Sequence, residues 1–283
     1  MTSEQSHADP GDPIGASRGP SDRGMPRSML APLVSNQVLP TLSQRLLEPS
    51  ARRKGRSSPV EAHVAELTAH VIEVDCAAAW RLCVRWHAQG GAVDDLVMKI
   101  LCGCARQLGE FWIEDEIDFA TCTASMTTLG ILLRRIERDM GGRQVVSRRG
   151  SQVLLLPVPG EAHSFGSQVG AFYLRRRGFS VRSGVAETPD EVLFLATQSS
   201  LDVIGFSVAT EDRLPLLAET LDVLRADTAT ARLPVFIGGS LVARSPEKIR
   251  RMNVDLILGD ITSAPGALAR LLATGSASVV PNF

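Results

Sequence analysis

Glu161-Ala162-His163-Ser164-Phe165-Gly166 places a carboxylate two residues before an imidazole and a glycine three residues after it. A neutral imidazole can donate one ring nitrogen to a metal while its other ring N–H is held by a carboxylate, which fixes tautomer and orientation. The stretch follows the apolar run Val153-Leu154-Leu155-Leu156. That places it after the first strand of an α/β domain, where such folds bind ligands. Ser207, Gly238 and Gly239 end later apolar runs and belong to the same crevice if those runs are strands of one parallel sheet.

The elements needed to position these residues are legible in the second half of the chain. Short apolar runs at 152–157, 179–184, 202–207, 234–238 and 254–258 predict strands, and amphipathic stretches at 166–177, 189–198, 212–226, 245–251 and 263–273 predict helices between them. Such strands suit a parallel sheet covered on both faces, and right-handed crossovers favour the doubly wound order 2-1-3-4-5, with its crevice beside strands 1 and 3. The expected fold class is therefore α/β.

Residues 59–140 read differently. Ser58-Pro59-Val60-Glu61 predicts a capped helix start. Apolar positions then recur at helical spacing: Val64, Leu67 and Val71; Ala78, Leu82 and Trp86; Leu96, Ile100, Cys104 and Leu108; Met126, Leu129, Leu132 and Leu133. Gly90-Gly91 separates the second helix from the third. Four helices with short connections predict an N-terminal four-helix bundle preceding a five-stranded domain at 151–274. Trp80 and Trp86 fit core packing.

Composition sets the outer limits. The 283 residues carry a net charge of -1 and 44% apolar content, enough for a core and two domains, with no bulk attraction to a polyanion. No apolar run approaches the roughly 18 to 20 residues of a membrane span, and the polar start lacks the apolar core of a secretory signal. Five cysteines at 76, 83, 102, 104 and 122 fall within helix-like segments, which suits reduced thiols in a cytoplasm. Residues 1–58, rich in Pro, Gly, Ser and Arg, read as a disordered basic extension, and 275–283 as a C-terminal tail. Within the extension, Met29 to Val34 and Val38-Leu39 suit a short docking segment or nonspecific contact with the body. The cluster Arg52-Arg53-Lys54-Gly55-Arg56 reads as solvated chain or as direct DNA contact.

The Glu161-x-His163-x-x-Gly166 loop resembles the Asp-x-His-x-x-Gly loop of cobalamin-binding domains. With Ser207 and the pair Gly238-Gly239, the resemblance implies a Rossmann-like cobalamin-binding domain in which His163 is the lower axial ligand of cobalt, replacing the cofactor's benzimidazole. It also implies that Ser207 meets the displaced nucleotide tail and that the two glycines let that tail approach the backbone. Two departures stand out. Glu161 replaces the family's Asp and is one methylene longer, so a direct bond to His163 calls for a shifted loop or a bridging water. Ser-x-Leu becomes Ser207-Val208-Ala209.

Leu108-Gly109-Glu110-Phe111-Trp112, followed by Glu116-Ile117, resembles the helical cap over the upper face of cobalamin in methionine synthases and light-responsive repressors. By that resemblance Trp112 is the upper-face residue; taken without the downstream domain it reads as a bundle-core tryptophan. The Glu-His pair of adenosyl-dependent repressors, ten and eleven residues after the tryptophan, is replaced by Cys122-Thr123. That favours hydroxocobalamin over the adenosyl form, with Cys122 either an upper thiolate ligand or a small packing residue. The whole arrangement resembles the AerR/PpaA family of photosynthesis-gene antirepressors. The resemblance implies a light- and oxygen-responsive, non-enzymatic regulator that acts on a PpsR/CrtJ-type DNA-binding repressor. A corrinoid carrier serving a methyltransferase and a haem-binding redox sensor are the alternatives.

Overall fold

The computed structural model describes residues 58–141 and 150–274. The extension ahead of Ser58, with its basic cluster and short apolar segments, and the tail 275–283 lie outside the described residues. The chain is an α/β protein with helices first and a five-stranded, all-parallel sheet after them.

Helix α1, Pro59–Ile72, starts at a capping box: the Glu61 N–H donates to Ser58 Oγ (3.2 Å), and the Ser58 N–H donates to the Glu61 carboxylate (3.0 Å). Helix α2 spans Cys76–Ala88. Helix α3 is continuous through Val93–Asp95, a π-helical stretch Leu96–Leu101, and Cys102–Ile113. Residues four apart overshoot one α turn and undershoot the wider π turn. Combining both keeps Leu96, Ile100, Cys104 and Leu108 on one fully buried face. Helix α4, Phe119–Met140, is capped by Asp118, whose carboxylate accepts the Thr121 N–H at 2.7 Å.

The bundle core is built from Leu67, Val71, Leu82, Leu129, Leu132, Leu133 and Ile136 with that face of α3. Trp80 and Trp86 correct the expectation of core packing, because both are only half-buried. Trp80 lies 4.0 Å beneath the Arg135 guanidinium, and the Trp86 indole donates to the Ala92 carbonyl at 3.1 Å. A charged neighbour for one ring and a polar partner for the other hold them at the bundle's edge.

The sheet comprises β1 Gln152–Pro157, β2 Ser180–Ser183, β3 Val203–Ser207, β4 Val235–Gly238 and β5 Leu256–Ile257, in the order β2-β1-β3-β4-β5. Its connecting helices are α5 Phe165–Arg176, α6 Pro189–Thr197, α7 Leu214–Ala226, α8 Ser240–Arg244 and α9 Pro246–Ile249, with α10 Ala264–Thr274 last. Strand alternation divides the core. Val153 and Leu155 pack with Leu174 of α5 and Leu268 of α10, whereas Leu154 and Leu156 pack with Val192 of α6 and Leu221 of α7. The helix expected at 245–251 is only the short Pro246–Ile249, and another short helix, Ser240–Arg244, precedes it; Pro246 has no N–H to continue that earlier helix and starts a new one. Among the described residues no helix is long and apolar enough to cross a membrane.

Bundle and sheet are joined through the end of α5. Arg175 pairs with Glu137 (3.1 Å), Arg177 pairs with Asp94 (2.9 Å), and Arg176 pairs with Asp94 and donates to the Gly141 carbonyl (2.8 Å).

Candidate functional site

From that joint, α5 runs back about 18 Å, at about 1.5 Å per residue, to Phe165 at the edge of a cleft between bundle and sheet. The cleft has a volume of about 870 Å³. It falls in the size range of small-molecule and cofactor sites. His163, Gly166, Ser207, Gly238 and Gly239 line its sheet side at the carboxyl ends of β1, β3 and β4, and Trp112 lines it from the bundle. Glu161 stands behind His163, with its side chain only 2% exposed against 62% for the imidazole.

Of the two alternatives expected here, the bridging water is not needed, because the bond is direct. His163 Nδ1 lies 2.5 Å from Glu161 Oε1, and the same oxygen accepts the His163 backbone N–H at 3.0 Å. Thr210 donates to the other carboxylate oxygen at 3.3 Å. The extra methylene lets the carboxylate curl back onto the loop that carries the imidazole. Burial works to raise the pKa of Glu161, but the bonds from His163 and Thr210 outweigh it and hold the carboxyl below its ordinary range. An ionised Glu161 can accept the Nδ1 proton as a hydrogen bond, which leaves Nε2 with a lone pair able to ligate a metal. Among the described residues no group of three or more His, Cys, Asp or Glu is arranged to hold a metal. One imidazole suits a metal whose other ligands come with a macrocycle.

The glycines divide the work. A Cβ on Gly166 would stand 3.4 Å from Ser207 Oγ, so the His163 loop and the end of β3 meet there. Gly239 has φ +112°, and a Cβ on it would lie 2.4 Å from the Val208 carbonyl oxygen and 2.6 Å from its nitrogen. Its first role is thus packing β4 against the β3 loop, where the Val208 N–H donates to the Gly238 carbonyl at 2.9 Å. Gly238 has open space at its Cβ position apart from Leu258, 3.5 Å away. In the altered Ser207-Val208-Ala209, Val208 is buried and Ala209 lines the cleft.

The opposite wall holds Cys122, Thr123 and Met126 of α4, already named from the sequence, together with residues not singled out there for the cleft: Met98, Cys102, Ala105 and Arg106 of α3 and Phe119 and Thr127 of α4. On α3, the i, i+4, i+7, i+8 stripe beginning at Met98 is the signal that was available. It lies beside the buried stripe of the same helix. Trp112 is 46% exposed, which rules out its reading as a core tryptophan. Burial raises the Cys122 pKa and pushes the Cys102 thiol up to about 11, so at neutral pH both stand as neutral thiols.

Comparison with known proteins agrees with this geometry. Residues 151–269 match the family model described as B12 binding domain. Over 170 residues the chain is 31% identical to an uncharacterized 20.5 kDa protein in the bchF–crtJ intergenic region of Rhodobacter capsulatus, covering 60% of this chain and 88% of that one. It is 32% identical over 108 residues to the 2-hydroxyisobutanoyl-CoA mutase small subunit of Aquincola tertiaricarbonis, covering 38% of this chain and 79% of that subunit. The fold is like that of the monomethylamine corrinoid protein of Methanosarcina barkeri, with a TM-score of 0.62 at 14% identity, over 75% of this chain and 99% of that one.

Proposed function

Since the chain belongs to the family of the Rhodobacter capsulatus protein of the bchF–crtJ intergenic region and carries a B12 binding domain at residues 151–269, we propose that it is a cobalamin-dependent, light- and oxygen-responsive antirepressor acting on a PpsR/CrtJ-type DNA-binding repressor of photosynthesis genes. The observation that carries this reading is the contrast between the two walls of the cleft. The sheet side presents an imidazole oriented by a buried carboxylate. The described bundle residues that line the cleft include no carboxylate and no imidazole. Such a wall is suited to sensing what occupies the cleft and lacks a pair of groups for acid–base chemistry.

His163 Nε2 would hold the cobalt, Glu161 fixes the ring, Ser207 and Gly238 would meet the nucleotide tail, and Trp112 would cover the upper face. Bound cobalamin supplies a light-sensitive metal centre with an exchangeable upper ligand. The bundle residues that would face that upper ligand, Cys122, Thr123, Phe119, Met98 and Met126, carry no acidic–histidine pair to hold an adenosyl group. This supports hydroxocobalamin as the resting form over the bulky adenosyl form. The likeness of fold to a corrinoid protein supports a second reading, a carrier for a methyltransferase.

Titrating hydroxocobalamin, adenosylcobalamin and haem in darkness tests the cofactor assignment. Capture of the repressor by apo and loaded protein, dark and illuminated, tests the regulation. A coupling of about 5- to 150-fold between cofactor state and repressor affinity is expected. Equal binding in every state, together with methyl transfer to an acceptor, would establish the carrier.

A further inference from the structure

The turn between α3 and α4 presents large apolar side chains to solvent. Ile113 is 77% exposed, Phe119 72% and Trp112 46%. Within residues 110–118 stand five carboxylates, Glu110, Glu114, Asp115, Glu116 and Asp118, and residues 107–133 contain no Lys, Arg or His. Among the described residues no cation pairs with any of the five.

The turn is rigid. Asp115 takes φ 56°, its N–H donates to the Trp112 carbonyl (3.3 Å), and the Glu116 N–H donates to the Phe111 carbonyl (2.8 Å), so α3 closes in a Schellman motif. Ile117 is buried and plugs the turn into the bundle, and Asp118 caps α4.

Exposed apolar surface rimmed by polar groups marks an interaction site, and aromatic anchors on a pre-organised turn cost little ordering entropy when they bind. The charge selects the partner. Five uncompensated carboxylates repel nucleic acid and anionic lipid and are complementary to a cationic protein face. Building on the antirepressor reading, we propose that the α3–α4 turn docks the basic, phosphate-gripping face of the repressor, so that binding here and binding to DNA exclude one another. Trp112 and Phe119 belong to both the turn and the cleft wall, which links this surface to cofactor occupancy.

The test uses the full chain loaded with hydroxocobalamin, and the double variant Glu114→Lys/Glu116→Lys and, separately, Ile113→Ala, none of which lines the cleft. The probe is a PpsR/CrtJ-type repressor, alone and on operator DNA. Wild type should bind more weakly as salt rises and should be displaced by operator DNA. The charge reversal should weaken binding at least about tenfold and Ile113→Ala severalfold, with cobalamin affinity and spectrum unchanged in both. Equal repressor binding by wild type and both variants overturns the docking surface and leaves the antirepressor reading standing. Equally tight binding to free and DNA-bound repressor overturns the exclusion. If wild type binds no repressor in any cofactor state, the antirepressor reading falls and this surface falls with it.

Discussion

Replacing Glu161 with Gln isolates what the buried carboxylate does for His163. Gln keeps the volume and one acceptor oxygen, so the backbone bond to His163 and the packing survive, and its amide can face the Thr210 hydroxyl, which is free to turn and accept. The bond at Nδ1 loses its charge, and a charge-assisted bond is about twice as strong as a neutral one. The ring is then a poorer donor and less firmly held. Such outer partners contribute about 10- to 100-fold in metal affinity, or about 1.4 to 2.7 kcal/mol. Hydroxocobalamin titration followed by absorbance and tryptophan fluorescence should show that loss in Glu161→Gln. His163→Ala should lose more and also lose the signature of nitrogen coordination. There is a matching pH signature. The depressed folded pKa of Glu161 gives stability that is fully present above the ordinary carboxylate range and is lost as pH falls through the folded value. Glu161→Gln should lack that acid step in apo-protein thermal melts. Unchanged cobalamin affinity and spectrum in Glu161→Gln would refute the reasoning, as would a larger loss there than in His163→Ala.

Val74 occupies the left-handed position (φ 55°) of the Schellman motif that ends α1, where a β-branched residue is strained and glycine is usual. It is half exposed. Val74→Gly should therefore stabilise by about 1 kcal/mol and raise Tm by about 2–4 °C in calorimetry. Gly239→Ala, with φ +112° and the clash on the Val208 backbone, should cost at least about 2 kcal/mol in denaturant unfolding and weaken cofactor binding; wild-type stability would show that the β3–β4 contact is not tight. Asp94→Asn should cost about 1–2 kcal/mol by breaking the shared pairing with Arg176 and Arg177, and limited proteolysis should show a looser bundle. Although burial opposes it, the two guanidiniums hold the Asp94 pKa below normal, so the wild-type joint should weaken only as pH falls through that depressed value. A joint insensitive to both changes would contradict this account.

What the sequence determined by itself was local. Apolar runs of strand length between amphipathic stretches dictate a parallel sheet covered on both faces, and handedness leaves few strand orders. Ser58 and Glu61 mark the start of α1 because a capping box is a bond between residues three apart. Glu161, His163 and Gly166 were legible as candidate chemistry because their spacing lies within one loop. Only the tertiary structure decided how that loop is held. Direct contact at Nδ1 depends on the path of Ala162 and on Thr210 arriving from the end of β3, 49 positions away. The bundle's contribution was equally hidden, since helical periodicity shows that a second stripe exists on α3 but not whether solvent or another domain covers it. Asp94 meets Arg176 across 82 positions. No local pattern encodes that pairing; it exists because the α/β body folds so that the end of α5 lies against the bundle, and the same packing opens the cleft at the other end of that helix.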